Sequence, residues 1–217
     1  MLPISNCEPT IPKPSPLLHL YTAKESTNYQ LSTTNYQLPT IMQITLGITG
    51  SIAAYKACEL VRCFVKAGDE VRVVMTEAAT KFVTPLTFQT LSRNPVGVDP
   101  FALPAEWKPE HISLAAADAV VVAPATANVL AKMAHGLADD LLTATLLATR
   151  APIFVAPAMN DGMWENPATQ ANLATLRSRG VTVIEPAAGE LACGTEGKGR
   201  MADPADILLA VKRGKAG

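Results

Sequence analysis

The chain has 217 residues, 48% of them hydrophobic and 17% charged, with a formal net charge of -1. Length and composition of this kind describe one main globular domain with room for a substantial core. The balanced charge excludes the concentrated basic patch of a nucleic-acid or acidic-membrane binder, and no run reaches the ~18 consecutive apolar residues of a membrane helix.

Residues 1–41 read as a disordered N-terminal tail. Prolines at 3, 9, 12, 14, 16 and 39 and the repeated TNYQL leave no helical or strand period, and such a segment buries too little apolar surface to offset its ordering entropy. A transit peptide would carry arginine, which this stretch lacks, and Met42 opening the folded pattern fits an over-extended start equally well. From Met42 to Gly217 the pattern is α/β. QITLGI is a buried strand, and the helix after it places Ala53, Ala57, Leu60, Val61, Phe64 and Val65 on one face with Lys56, Glu59 and Lys66 opposite. Gly68 ends that helix. EVRVVMT, DAVVVAP, APIFVAP and GVTVIEP follow as strands separated by helical segments. Strands this apolar, joined by crossovers this long, predict a parallel sheet covered by helices on both faces.

In such sheets ligands sit beyond the carboxyl ends of the strands, which selects the segments to inspect. After the first strand, Gly47, Gly50 and Ser51 lead into a helix N-terminus, where backbone N–H groups and a hydroxyl suit a phosphate; a bland tight turn is the alternative. Thr76 ends the second strand as a site hydroxyl or as a helix cap. Thr126 and Asn128 follow the third, a hydroxyl and an amide suited to a phosphate or a polar ring edge. After the fourth, Asn160 stands among Met159, Met163 and Trp164, apolar walls that would desolvate a small carboxylate and fix its orientation, unless Met163 and Trp164 are simply core. His111 precedes the third strand and is the side chain type that titrates near neutrality. Cys193 sits among Gly189, Gly194, Gly197 and Gly199, a candidate mobile flap, whereas Cys58 and Cys63 lie on the apolar helix as core residues. Together with Cys7 these cysteines form no CxxC pair and no metal-ligand spacing with the three histidines, so no metal is expected and a reducing, cytoplasmic setting fits.

The strings GITGSIAAYK, HISLAAADAVVVAPATAN, GLADDLL, PAMNDGMW and LACGTEGKGRMADP, in this order over residues 42–212, resemble the homo-oligomeric flavin-containing cysteine decarboxylases, and among them the phosphopantothenoylcysteine decarboxylases of coenzyme A biosynthesis. The resemblance implies a Rossmann-like or flavodoxin-like three-layer sandwich and an FMN cofactor held by Gly50, Ser51, Ile52, Thr76, Thr126, Ala127, Asn128, Val129 and Ala158. It implies His111 and Cys193 as catalytic residues, with Asn160 and Met163 contacting the substrate. It further implies a homotrimer or dodecamer with flavin sites near subunit interfaces, and a phosphopantothenoylcysteine synthetase domain or protein as a companion, the present chain being either stand-alone or part of a fused protein.

The implied reaction converts 4'-phosphopantothenoylcysteine to 4'-phosphopantetheine. Direct loss of CO2 from a cysteine carboxylate would leave an unstabilised carbanion, so the thiol is first oxidised to create an electron sink and the product is reduced afterwards. His111 would manage protons at the early stage, and Cys193 would donate the last proton, which a thiol of ordinary pKa near ~8.5 retains at neutral pH. Thr195 stands where relatives often carry Asp. A peptidyl-cysteine decarboxylase and a non-enzymatic flavin-binding regulatory subunit are the alternatives.

Overall fold

The computed structural model describes residues 41–103, 109–190, 194 and 196–215. Except for Ile41, the expected N-terminal tail falls outside these residues, as does Cys193. In chain order the elements are β1 (Gln43–Ile48), α1 (Ala54–Lys66), β2 (Glu70–Met75), α2 (Glu77–Thr80), α3 (Pro85–Ser92), β3 (Val96–Gly97), α4 (Glu110–Ala115), β4 (Ala119–Ala125), α5 (Ala127–His135), α6 (Leu141–Ala148), β5 (Ile153–Pro157), α7 (Asp161–Glu165), α8 (Pro167–Ser178), β6 (Thr182–Val183), β7 (Ala187–Glu190), β8 (Glu196–Arg200) and α9 (Pro204–Lys215).

Among the described residues the main sheet is six-stranded and parallel, in the order β3-β2-β1-β4-β5-β6. Alternate side chains of one strand enter different cores. Ala119, Val121 and Ala123 of β4 pack with Leu60, Val61 and Phe64 of α1 and Ile207 and Val211 of α9, whereas Val120, Val122 and Ala125 pack with Val129 and Leu130 of α5, Leu142 of α6 and Leu173 of α8. A strand buried on both faces must be apolar throughout, which is why β4 shows no polar alternation. Each fully buried Leu, Val or Phe here contributes about 1.5–3 kcal/mol relative to exposure. The expected three-layer α/β sandwich is the observed architecture.

The helices begin and end where local chemistry dictates. Gly68, at φ 88°, turns the chain out of α1 toward β2, and Gly136, at φ 69°, ends α5. Asp140 and Thr143 cap α6 reciprocally, and Lys132 reaches Asp139 at 2.6 Å and Asp140 at 3.1 Å. These contacts raise the Lys132 pKa, chiefly through its hydrogen bond to Asp139, and lower that of Asp139. GLADDLL is therefore a helix start tied to its neighbouring helix. At the edge of the molecule where the strands begin, the Asp69 carboxylate, buried in its side chain, accepts from Met42 N and from Lys212 Nζ, fastening α9 beside the start of β1.

Two features depart from the sequence expectation. β3 is an additional edge strand of two residues, flanked by Pro95 and Val98, too short to present any period. The glycine-rich segment around Gly189 and Gly197 contains a separate antiparallel hairpin, β7 paired with β8. Its residues are small or charged and alternate between exposed and half-buried positions, with Gly199 alone buried, so hydrophobicity gave no strand signal.

Candidate functional site

β1, β4 and β5 are neighbours in the sheet, and beyond their carboxyl ends they release the segments that the site needs. β1 leads into α1 on one face and β4 into α5 on the other, so the chain diverges here and leaves a crevice. Gly50 sits close against α2: a Cβ there would lie 2.6 Å from the Ala78 Cβ. The Ser51 hydroxyl accepts from Ala53 N at 3.3 Å. α1 then starts at an N-cap, Ala53, that offers no side-chain cap to the first turn. Across the crevice, Thr126 caps α5, its Oγ1 accepting from Val129 N at 3.4 Å.

The third wall follows β5. Ala158 N donates to Ala125 O, and Met159 N donates to Gly199 O of the hairpin, each at 3.0 Å. Asn160 caps the short helix α7, its Oδ1 accepting from Gly162 N at 2.9 Å, which fixes the orientation of the carboxamide. Trp164 is buried in the core beneath, while Met163 remains 49% exposed. The two residues, equivalent by sequence, thus divide between core and site. Gly199 lies so close to Met159 that a Cβ would collide with the Met159 carbonyl oxygen. Lys198 pairs with Glu185 at 2.8 Å and stands 5.4 Å from the Trp164 ring centre, and Arg177 holds the same Glu185. These cations keep the Glu185 carboxyl below its ordinary pKa, the Lys198 hydrogen bond being the largest cause.

Together these segments enclose a cavity of about 620 Å³, within the usual size of small-molecule sites. Among the residues expected from sequence, Gly50, Ser51, Ile52, Thr126, Ala127, Ala158, Asn160 and Met163 line it. Thr76 is outside the lining and caps α2 through Ala79 N. Asn128 is exposed on α5 and Val129 is buried beneath the cap, and neither lines the cavity. His111, half-buried in the first turn of α4, is not part of the lining, and Cys193 belongs to the segment between β7 and β8 outside the described residues.

The sequence expectation omitted Lys56, Glu190 and Arg200 from the wall, all of which line the cavity. Lys56, expected on the solvent face of α1, has a side chain only 18% exposed and lies 4.0 Å from Asp203, which Arg200 approaches at 3.6 Å. The position of Lys56 in the first turn of α1 was the available signal, since a residue there shares the end of the helix that faces the ligand.

The donor set suits a phosphate-bearing planar ligand: an uncapped helix N-terminus and the Ser51 hydroxyl, beside a close-packed glycine, border a cavity with apolar Ile52, Ala127, Ala158 and Met163 around it. Among the described residues, no group of three or more His, Cys, Asp or Glu could hold a metal ion, and no helix is long and apolar enough to cross a membrane.

A family model described as Flavoprotein matches residues 32–214. The chain is 52% identical over 169 residues to the coenzyme A biosynthesis bifunctional protein CoaBC of Haemophilus influenzae, covering 77% of this chain and 42% of that protein. It is 50% identical over 171 residues to the CoaBC of Bacillus subtilis, covering 78% and 42%. The chain thus spans less than half the length of these relatives. Among solved structures, a cysteine-to-serine mutant of PPC decarboxylase complexed with pantothenoylaminoethenethiol is similar with a TM-score of 0.74 and 36% identity, over 82% of this chain and 100% of that one. The FMN-dependent cysteine decarboxylase SpaF is similar at 0.71 and 31%, over 82% and 99%. The FMN binding protein AtHal3 is similar at 0.70 and 37%, over 80% and 96%.

Proposed function

The chain belongs to the flavoprotein family and, within it, to the cysteine decarboxylases related to phosphopantothenoylcysteine decarboxylase, and from that premise we propose that it catalyses the FMN-dependent decarboxylation of 4'-phosphopantothenoylcysteine to 4'-phosphopantetheine in coenzyme A biosynthesis. The observation that carries this reading is the single cavity in which Ser51, Thr126, Asn160 and Met163, drawn from separate strand ends, share one wall with the β7–β8 hairpin.

FMN would be held by the Gly50–Ile52 loop, the start of α1, Thr126 and Ala127, with Ala158 at its edge; Thr76 through its cap on α2 and Val129 through its bond to Thr126 keep those segments in place. When bound, it supplies a reversible two-electron oxidation of the substrate thiol, which makes the neighbouring carboxylate able to leave. Asn160 orients the substrate carboxylate through hydrogen bonding, and Met163 with Ile52 excludes water around it. The hairpin borders the remaining side, and the Cys193 thiol is the proposed holder of the proton delivered to the product carbon at the end.

His111 manages protons at the early stage. It stands outside the cavity wall of its own chain, so the reading includes a homotrimer or dodecamer in which a neighbouring copy brings its own His111 to the cavity. A synthetase domain or protein is the proposed companion, since the similar CoaBC proteins are bifunctional and longer. The proposed setting for this reaction is the cytoplasm.

The test is to measure bound flavin and CO2 release with 4'-phosphopantothenoylcysteine and, in parallel, with a peptide ending in cysteine. Bound FMN with CO2 from the first substrate supports the reading. CO2 only from the peptide would make it a peptidyl-cysteine decarboxylase, FMN without CO2 from either a flavin-binding subunit, and FAD or NAD in place of FMN would overturn the cofactor. Light scattering that gives the mass of one fully active chain would remove the shared site.

A further inference from the structure

Parallel strands end beside one another in this sheet, and at the carboxyl edge two neighbouring pairs are joined by backbone hydrogen bonds. Between β1 and β2, Thr76 N donates to Ile48 O at 3.0 Å; between β4 and β5, Ala158 N donates to Ala125 O at 3.0 Å. The central pair differs. The ladder between β1 and β4 stops at Gly47 opposite Val122. Beyond it no β1–β4 pairing continues, and Pro124 has no N–H to give.

A side chain takes over where the backbone stops. Thr49, 1% exposed, donates its hydroxyl to Pro124 O at 2.7 Å and accepts from Thr126 N at 3.1 Å. One hydroxyl thereby satisfies a carbonyl and an amide on a strand 75 to 77 residues away in sequence. The same residue, through its own carbonyl, receives Ser51 N at 2.8 Å. Thr49 is therefore bonded on one side to the loop that starts α1 and on the other to the residue that caps α5, across the place where the chain diverges to opposite faces of the sheet.

We propose that Thr49 is the positioning residue of the flavin site: its hydroxyl holds the Gly50–Ile52 loop and the Thr126–Ala127 turn at the separation that FMN requires. The proposal rests on the reading that this cavity takes FMN, and Thr49 acts through its neighbours, being absent from the cavity wall. The role requires a group that donates and accepts at once in a buried position, which serine retains and valine, of nearly the same shape as threonine, does not.

The experiment titrates flavin-free protein with FMN by fluorescence quenching for wild type, Thr49→Ser and Thr49→Val, and records melting temperature with and without FMN. Thr49→Val should bind FMN about tenfold or more weakly and lose much of the FMN-dependent rise in melting temperature, since a buried carbonyl and amide are left unsatisfied at the cradle. Thr49→Ser should stay within about threefold of wild type, the hydroxyl being kept. A valine variant that melts earlier yet binds FMN like wild type would reduce Thr49 to a core residue and overturn the proposal, while leaving the flavin reading intact. If wild type itself takes no FMN, both fall. Should the valine variant fail to fold, hydrogen exchange of wild type decides: the Thr126 amide must be strongly protected without flavin, and exchange at the rate of an open amide would overturn the proposal.

Discussion

Along β1 and β4, which carry one side of the cavity, nearly every residue is buried, whereas the β7–β8 hairpin on the other side alternates between exposed and half-buried positions with one buried glycine. The crevice inherits its geometry from two hydrophobic cores and from Thr49 between the strand ends. The hairpin rests on the Met159 N to Gly199 O bond, the approach of Gly199 to Met159 and the pairing of Lys198 with Glu185 and Trp164. Few buried apolar contacts mean a low cost of local opening. On the proposed function the contrast separates two tasks, a fixed half that would bind cofactor and a more easily opened half that would border the substrate. Changes to the first should cost flavin, and changes to the second should cost turnover with flavin retained.

The largest effect is expected at Gly50. An alanine there would place its Cβ 2.6 Å from the Ala78 Cβ and 3.2 Å from that residue's backbone carbon, so the loop must move. Gly50→Ala should purify nearly colourless and with almost no decarboxylation, and full flavin content measured after acid release would break the assignment of the fixed half.

Next come the proton-handling residues, expected to slow product formation by about 10²–10⁴-fold with flavin content unchanged. His111→Asn should release almost no CO2. Cys193→Ser should release CO2 but accumulate reduced flavin and the unsaturated thiol, seen by single-turnover absorbance with product mass in parallel. Full conversion to the saturated thiol would leave the segment between β7 and β8 without a chemical role.

Gly199→Ala sharpens the contrast within the hairpin, since its Cβ meets the Met159 carbonyl rather than a flexible side chain. The hairpin must lift, so kcat/KM should fall by about tenfold while FMN affinity stays near wild type, an expectation consistent with misplacement costs at such sites. A matching loss of FMN affinity would show that the two halves are not separable.

The smallest effect concerns pH. The folded pKa of Glu185 lies below its unfolded value because of Lys198 and Arg177, so its contribution is present above the unfolded pKa and disappears as pH falls through the lowered folded one. With about half of each partner exposed, screening limits the contribution to about a few tenths of a kcal/mol. Glu185→Gln should melt slightly earlier than wild type at pH 7, and the difference should vanish in strong acid and in high salt. A difference that persists in acid would assign it to packing instead.

Local patterns were legible because they report local physics. Ala57, Leu60, Val61 and Phe64 are buried in the order that a helical period demands, and the strands of the expected sheet lie where uninterrupted apolar runs stand. Ser51, Thr126 and Asn160 could be marked because each follows such a run. The hairpin escaped because glycines and charges carry no hydrophobic period, and Thr76 stayed ambiguous because a cap and a ligand both call for a hydroxyl after a strand.

The sequence by itself determined the α/β class, the apolar strands and the strand-end segments, since each depends on residues within a few positions of one another. Only the tertiary structure decided that β1 and β4 are neighbours, that Lys56 and Arg200 reach the same wall as Asn160, and that Thr49 meets Pro124 from 75 residues away. The physical reason is that these relations arise from strand order and helix placement, where the burial of two cores selects one arrangement among many that the same local pattern permits.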